Sequence, residues 1–96
     1  MRITVKLGAP LSKVVGESKV TLSMSAGATV ADVLDALRAR YPDFQEGLKG
    51  KGLRRPPDRV PYTLFVNARS VSLERAETIH LRDGDQMYLF LPAAGG

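Results

Sequence analysis

Cysteine is absent from the 96 residues, which removes disulfides, a thiolate nucleophile, iron–sulfur ligation and cysteine-type zinc sites together. Any sulfur handled by this chain must come from elsewhere, and a cysteine-free chain suits any redox compartment, reducing cytosol included. Histidine occurs once, as His80. With no cysteine and no pair of carboxylates at ligand spacing nearby, it reads as a structural or solvent-facing residue rather than a metal ligand. Ser12, Ser18 and Ser23 lack a histidine–acid arrangement, so nucleophilic catalysis has nothing to stand on. No phosphate-cradling glycine loop of the Walker type is present. No run approaches the ~20 apolar residues a spanning helix needs, and no apolar signal segment precedes the first alternating stretch. The expectation is a soluble cytoplasmic protein with no bound metal or cofactor and no membrane partner.

What is present fits one globular domain. Hydrophobic residues make up 44% and charged residues 25%, the ordinary range for a chain with a single modest core. A single domain over residues 1–96 is expected, with a flexible tail over 92–96. The net charge of +4 falls visibly in Lys49, Lys51, Arg54, Arg55 and Arg59. Such a cluster either steers polyanions or an acidic protein partner, or is a solvated loop kept soluble by its charge.

Periodicity sets out the elements. Ile3, Val5 and Leu7 alternate in Arg2–Leu7, and Val20, Leu22 and Met24 in Lys19–Met24, the pattern of strands with one buried face. The connection between them, Gly8 to Gly16, is long for a hairpin but still joins antiparallel strands. Thr29 followed three residues later by Asp32 is an acidic capping box, so a helix should begin at Val30. Val30, Val33, Leu34, Leu37 and Tyr41 form one stripe of that helix, and Pro42 closes it. From Asp43 to Pro61 glycine, proline and charge leave no element a good claim, although Phe44, Leu48 and Leu53 are placed to pin parts of it to the core. Tyr62–Val66 reads as a third strand, Asn67-Ala68-Arg69 as a turn, Ser70–Leu73 as a fourth strand and Gln86–Leu91 as the last.

Met87, Leu89 and Leu91 share one face of the last strand and should pack under the helix. Tyr88 and Phe90 then lie on the opposite face, where Phe65 joins them if the third strand has the matching phase. Either these aromatics form a docking surface with Pro92 beside them, or the long middle segment folds over the rings. Pro92 removes a ladder donor and biases Leu91 toward an extended backbone, so the strand should end there and the tail project from the sheet.

The sequence closes with Pro92-Ala93-Ala94-Gly95-Gly96, without a side chain larger than a proline ring. Two glycines there by chance is on the order of half a percent. The ordinary alternatives are a frayed terminus or a cloning scar. The functional reading is that a terminal carboxylate must reach a reaction centre through a passage too narrow for a Cβ.

One helix covers one face of a mixed sheet, so the class is α+β with about five strands, the layout of a β-grasp domain. Val66-Asn67 ahead of a short hairpin, Thr78-Ile79-His80-Leu81 with Arg82-Asp83-Gly84-Asp85 leading into an apolar strand, and the closing Gly95-Gly96 resemble the ubiquitin-like sulfur carriers. The resemblance extends in particular to the small subunit of molybdopterin synthase and its relatives in the cysteine, thiamine and tRNA-thiolation pathways, and it covers nearly the whole chain. It implies a carrier and not an enzyme: an ATP-dependent activating enzyme adenylates the carboxylate of Gly96, a persulfide or related donor supplies sulfur, and the thiocarboxylate passes it to an acceptor enzyme such as a synthase large subunit. Gly96 would be the attachment point and Gly95 the clearance residue; ATP would be used by the partner. Two alternatives stay open: a protein modifier joining Gly96 to target lysines, and a nucleic-acid-binding β-grasp module using the basic loop.

Overall fold

Alternation of apolar residues in the first two segments produces a hairpin whose inner face is buried: β1 (Arg2–Leu7) and β2 (Lys19–Ser23) pair antiparallel, and Ile3, Val5, Leu7, Val20 and Leu22 point into the core. These elements belong to a computed structural model that describes residues 1–55 and 57–92. The helix α2 (Val30–Arg40) starts where the capping box requires: Thr29 Oγ1 accepts from the Asp32 N–H, and Asp32 accepts from the Thr29 N–H at 2.8 Å. Both bonds satisfy backbone donors that a helix start leaves orphaned. Val30, Val33, Leu34 and Leu37 are buried, with Tyr41 packed half-buried at the end of the same stripe.

The remaining strands are β3 (Thr63–Val66), β4 (Arg69–Val71) and β5 (Gln86–Phe90). The sheet order is β2-β1-β5-β3-β4, with β5 parallel to β1 and antiparallel to β3. The last strand is thus central, beside the first, which is the β-grasp arrangement. Asn67 turns the β3–β4 hairpin with φ 54°, a left-handed conformation that asparagine tolerates. The turn is one residue shorter than the sequence suggests, because Arg69 already pairs with Val66.

Two segments read as irregular hold helices. Leu11–Val15 forms α1 and Phe44–Leu48 forms α3, each of five residues. So few residues complete barely one turn and give no periodic signal; burial makes them, with Leu11, Phe44 and Leu48 in the same cluster as α2 and the sheet. Leu53 stays half-buried outside it. The short helices lie close because Gly47 has no side chain: a Cβ there would meet Leu11 Cδ1 at 2.7 Å and Val14 Cγ1 at 3.1 Å. The polar stretch before the final strand is a 3-10 helix over Leu73–Thr78, started by Ser72 Oγ accepting from the Glu74 N–H at 3.2 Å.

Tyr62 is the one polar side chain that the core takes in without a hydrogen-bond partner among the described residues. Burial pushes its phenol above the ordinary 10.0; the Leu11 backbone tempers that rise but is not in hydrogen-bonding geometry, so the hydroxyl stays unsatisfied. A hydroxyl desolvated without a partner costs about 1–3 kcal/mol. Tyr62→Phe is therefore expected to leave stability unchanged or raise it by about 1 kcal/mol, as read by urea denaturation. The sign with pH follows from linkage. The unfolded chain loses this proton at lower pH than the folded one, so the native state weakens as pH climbs past about 10. The phenylalanine variant should lack that part of the alkaline decline; an equal decline in both proteins would contradict the assignment.

Candidate functional site

The site is built where β5 ends. Its ladder stops at Phe90, opposite Thr63, one residue earlier than the sequence pattern suggests, since β3 offers no residue further out. On the other side the Gly8 N–H donates to the Leu89 carbonyl oxygen at 2.8 Å and closes the β1 edge. Gly8 is a close approach that the sequence reading did not single out: a Cβ there would sit 3.3 Å from both Cα and Cβ of Phe90. Leu91 still packs half-buried on the core, and Pro92 is exposed. The chain leaves the sheet there without a ladder partner. Gly95 and Gly96, the residues expected to carry the chemistry, lie outside the described residues together with Ala93 and Ala94.

Beside this root the three expected aromatics do come together. Phe65 pairs in register with Tyr88, the Phe65 and Phe90 centroids are 5.3 Å apart at 72°, and those of Tyr88 and Phe90 are 4.9 Å apart at 41°. Tyr88 remains 43% exposed, while Phe65 and Phe90 are half-buried against each other. The middle segment does not close over them. It turns to the helical side, where Gly52 lies against Pro10 and Val14. Lys6 and Lys19 share the row of Tyr88 across β5, β1 and β2. The alternation that buries Val5 and Leu7 also sends Lys6 to the open face, so the sequence carried this signal.

The motif residues around the Asp-Gly-Asp turn hold the other end of β5. Asp83 Oδ1 accepts from the Arg2 N–H at 2.7 Å, and Asp85 Oδ2 accepts from the Arg82 N–H at 2.8 Å. Asn67 donates its amide to Asp85 at 3.1 Å and accepts from the Gln86 N–H at 3.0 Å. The turn, β1 and the β3–β4 hairpin are thereby tied into one unit. His80 is exposed, and its Nδ1 lies 3.1 Å from the Gly27 carbonyl oxygen. Neighbouring backbone bonds, Val30 N–H to Ile79 O and Leu81 N–H to Ala28 O, fasten the same turn ahead of α2.

Among the described residues no helix is long and apolar enough to cross a membrane. A β-grasp sheet whose central strand ends beside a partly exposed aromatic cluster, in a sequence that goes on through small residues to Gly95-Gly96, fits a ubiquitin-like protein of the carrier and modifier class. The chain belongs to the ThiS family, whose model matches residues 5–96. Small archaeal modifier protein 3 of Haloferax volcanii is 30% identical over 96 residues, covering 100% of both chains. The crystal structure of SAMP1 from Haloferax volcanii superposes with a TM-score of 0.74 at 29% identity, again over 100% of both chains. A putative molybdopterin converting factor subunit 1 from Pyrococcus furiosus, at 24% identity, shares the fold with a TM-score of 0.74, covering 97% of this chain and 99% of its own.

Proposed function

We propose that this protein is a sulfur carrier whose reactive group is the carboxylate of Gly96. The observation that supports the reading is where the sheet ends: the central strand of a ThiS-family fold runs out at Phe90, and Leu91 and an exposed Pro92 follow it without a ladder partner beside a partly exposed aromatic cluster. A partner enzyme binds that face and draws in a tail whose side chains are methyl groups or hydrogens, with Gly95 clearing the narrowest point.

The chemistry requires the partner because a free carboxylate is a poor electrophile. A Gly96 carboxylate oxygen attacks the α-phosphorus of ATP, forming the acyl-adenylate and releasing pyrophosphate. A persulfide sulfur then attacks the acyl carbon and expels AMP. A thiol cleaves the resulting acyl disulfide, leaving the thiocarboxylate on Gly96 and a disulfide on the donor side. The thiocarboxylate gives its sulfur to an acceptor in molybdopterin or other sulfur-metabolite biosynthesis. In this scheme the chain contributes no general acid or base; it is a consumable arm, and ATP binds to the partner.

The test is intact mass after incubation with ATP, a sulfur donor and the host's activating enzyme. A gain equal to exchange of one oxygen for sulfur is expected, and a variant lacking Gly96 should show none. No gain with an enzyme that activates another substrate in the same preparation would defeat the reading. A second reading, conjugation of Gly96 to target lysines, is favoured by two relatives named as archaeal modifiers. It predicts ATP-dependent adducts carrying a lysine-linked Gly-Gly remnant on other proteins, lost with the same deletion.

A further inference from the structure

The middle segment, which carries the exposed cations Lys49, Lys51, Arg54, Arg55 and Arg59, is anchored at the end of the molecule where β5 ends. The segment is fixed on both sides of that strand end. At its start, Gly52 lies against Pro10, which follows Gly8 and its bond to the Leu89 carbonyl. At its finish, Arg59 and Val60 border the trough that contains Thr63, the residue paired with Phe90. Lys6 and Lys19 extend the same sign across the open face beside Tyr88. Among the described residues Lys49 alone of these cations has an ion pair, to Glu46 at 3.9 Å. Between Lys49 and Arg59 the segment itself carries one carboxylate, Asp58, and Glu74 borders the same trough as Arg59, so the cations outnumber the acids there; Asp83 and Asp85, tied into backbone bonds, sit at the opposite end of β5.

We infer that these cations form a basic collar around the root of the tail, and that it docks on a carboxylate-lined rim of a protein partner, around the mouth that admits the tail. This deepens the carrier reading given above and rests on it. Charge complementarity assigns the sign of the rim. The rings favour a protein: Phe65 and Phe90 meet edge to face and Tyr88 is tilted onto Phe90, one compact apolar cluster rather than a row of separate platforms for successive bases. An apolar patch with charge along its border, Lys6 and Lys19 on its own face and the middle segment at the strand end, has the anatomy of a protein interface. Opposite charge around it speeds encounter and fixes the approach, so that the tail arrives at the channel.

The test uses the full chain and the host's ATP-dependent activating enzyme, with ATP–pyrophosphate exchange followed at several salt concentrations. Lys51→Glu, Arg54→Glu and Arg55→Glu combined should raise KM for the carrier by about 10-fold to 100-fold at low salt while kcat at saturation is retained. Added salt should raise the wild-type KM and leave the variant's nearly flat. Arg69→Glu, Arg75→Glu and Arg82→Glu combined make the same change in net charge away from the tail, and should keep KM near wild type. An unchanged KM in the first variant overturns the collar, as does an equal rise in the second, which would make the effect one of net charge alone. Binding of host tRNA that the first variant loses, with KM unaltered, overturns it in favour of RNA. Wild-type protein that supports no exchange defeats the carrier reading and the collar with it. Exchange that is normal in the wild type and indifferent to the collar defeats the collar only. Thermal melting checks that both variants fold.

Discussion

Replacing Phe44 with alanine is expected to cost about 3–5 kcal/mol of folding stability, enough to lower the melting temperature of a domain this size by about 15 °C or more. Phe44 is fully buried and is the largest of the completely enclosed side chains. It opens α3, a five-residue helix with no side-chain cap bond at its start, so packing rather than intrinsic propensity holds it in place. α3 packs on both α1 and α2 and leads directly into the middle segment. Loss should therefore reach beyond the local turn: the segment carrying Lys49 to Arg59 would come loose from Pro10 and Val14. Urea denaturation measures the total, and amide exchange at Gly47 and Leu48 locates it. A cost below about 1 kcal/mol would mean that α3 is not part of the cooperative core.

Tyr88→Ala is expected to weaken association with the activating enzyme by about 30-fold or more, appearing in KM with kcat little changed, because buried aromatic anchors contribute about 2 kcal/mol or more at the centre of an interface. The same substitution should cost the isolated protein only about 1 kcal/mol, the worth of the ring contact with Phe90, since the side chain is already 43% exposed. Separation of the two effects is the informative result. A protein as stable as expected and adenylated with unchanged KM would remove this face from the docking surface.

Much of this architecture is legible in the residues. The alternation in β1 and β2, the capping box at Thr29 and the stripe from Val30 to Tyr41 carry enough repeats to specify both element and buried face. The phase of β5 likewise sends Met87 and Leu89 inward and Tyr88 outward. The short helices were not legible, because α1 and α3 form through burial of Leu11 and Phe44 against partners far along the chain. Nor does any local pattern say that Gly8 must lack a side chain to lie beside Phe90, since that contact joins residues 82 positions apart. Val66-Asn67 and the Asp-Gly-Asp turn were legible as a family resemblance. Their physical role, a set of side-chain bonds clamping the start of β5, needed coordinates. The anchoring of the basic segment beside the end of β5 is hidden for the same reason: the charge is plain in the sequence, and the contacts of Gly52 with Pro10 and of Arg59 beside Thr63 are products of the fold.

The parallel pairing of β1 with β5 has a mechanical side. The chain enters the sheet at the level of the Asp83 clamp and leaves it at Phe90, so its first and last strands run side by side with their free ends at opposite poles. A pull on the tail slides β5 along both neighbours and strains the ladder bonds together in shear; it cannot peel them apart one at a time, as it would if the tail belonged to an edge strand. A partner enzyme of the proposed scheme that drew on the end of β5 would therefore load the domain in the direction in which its ladder resists best.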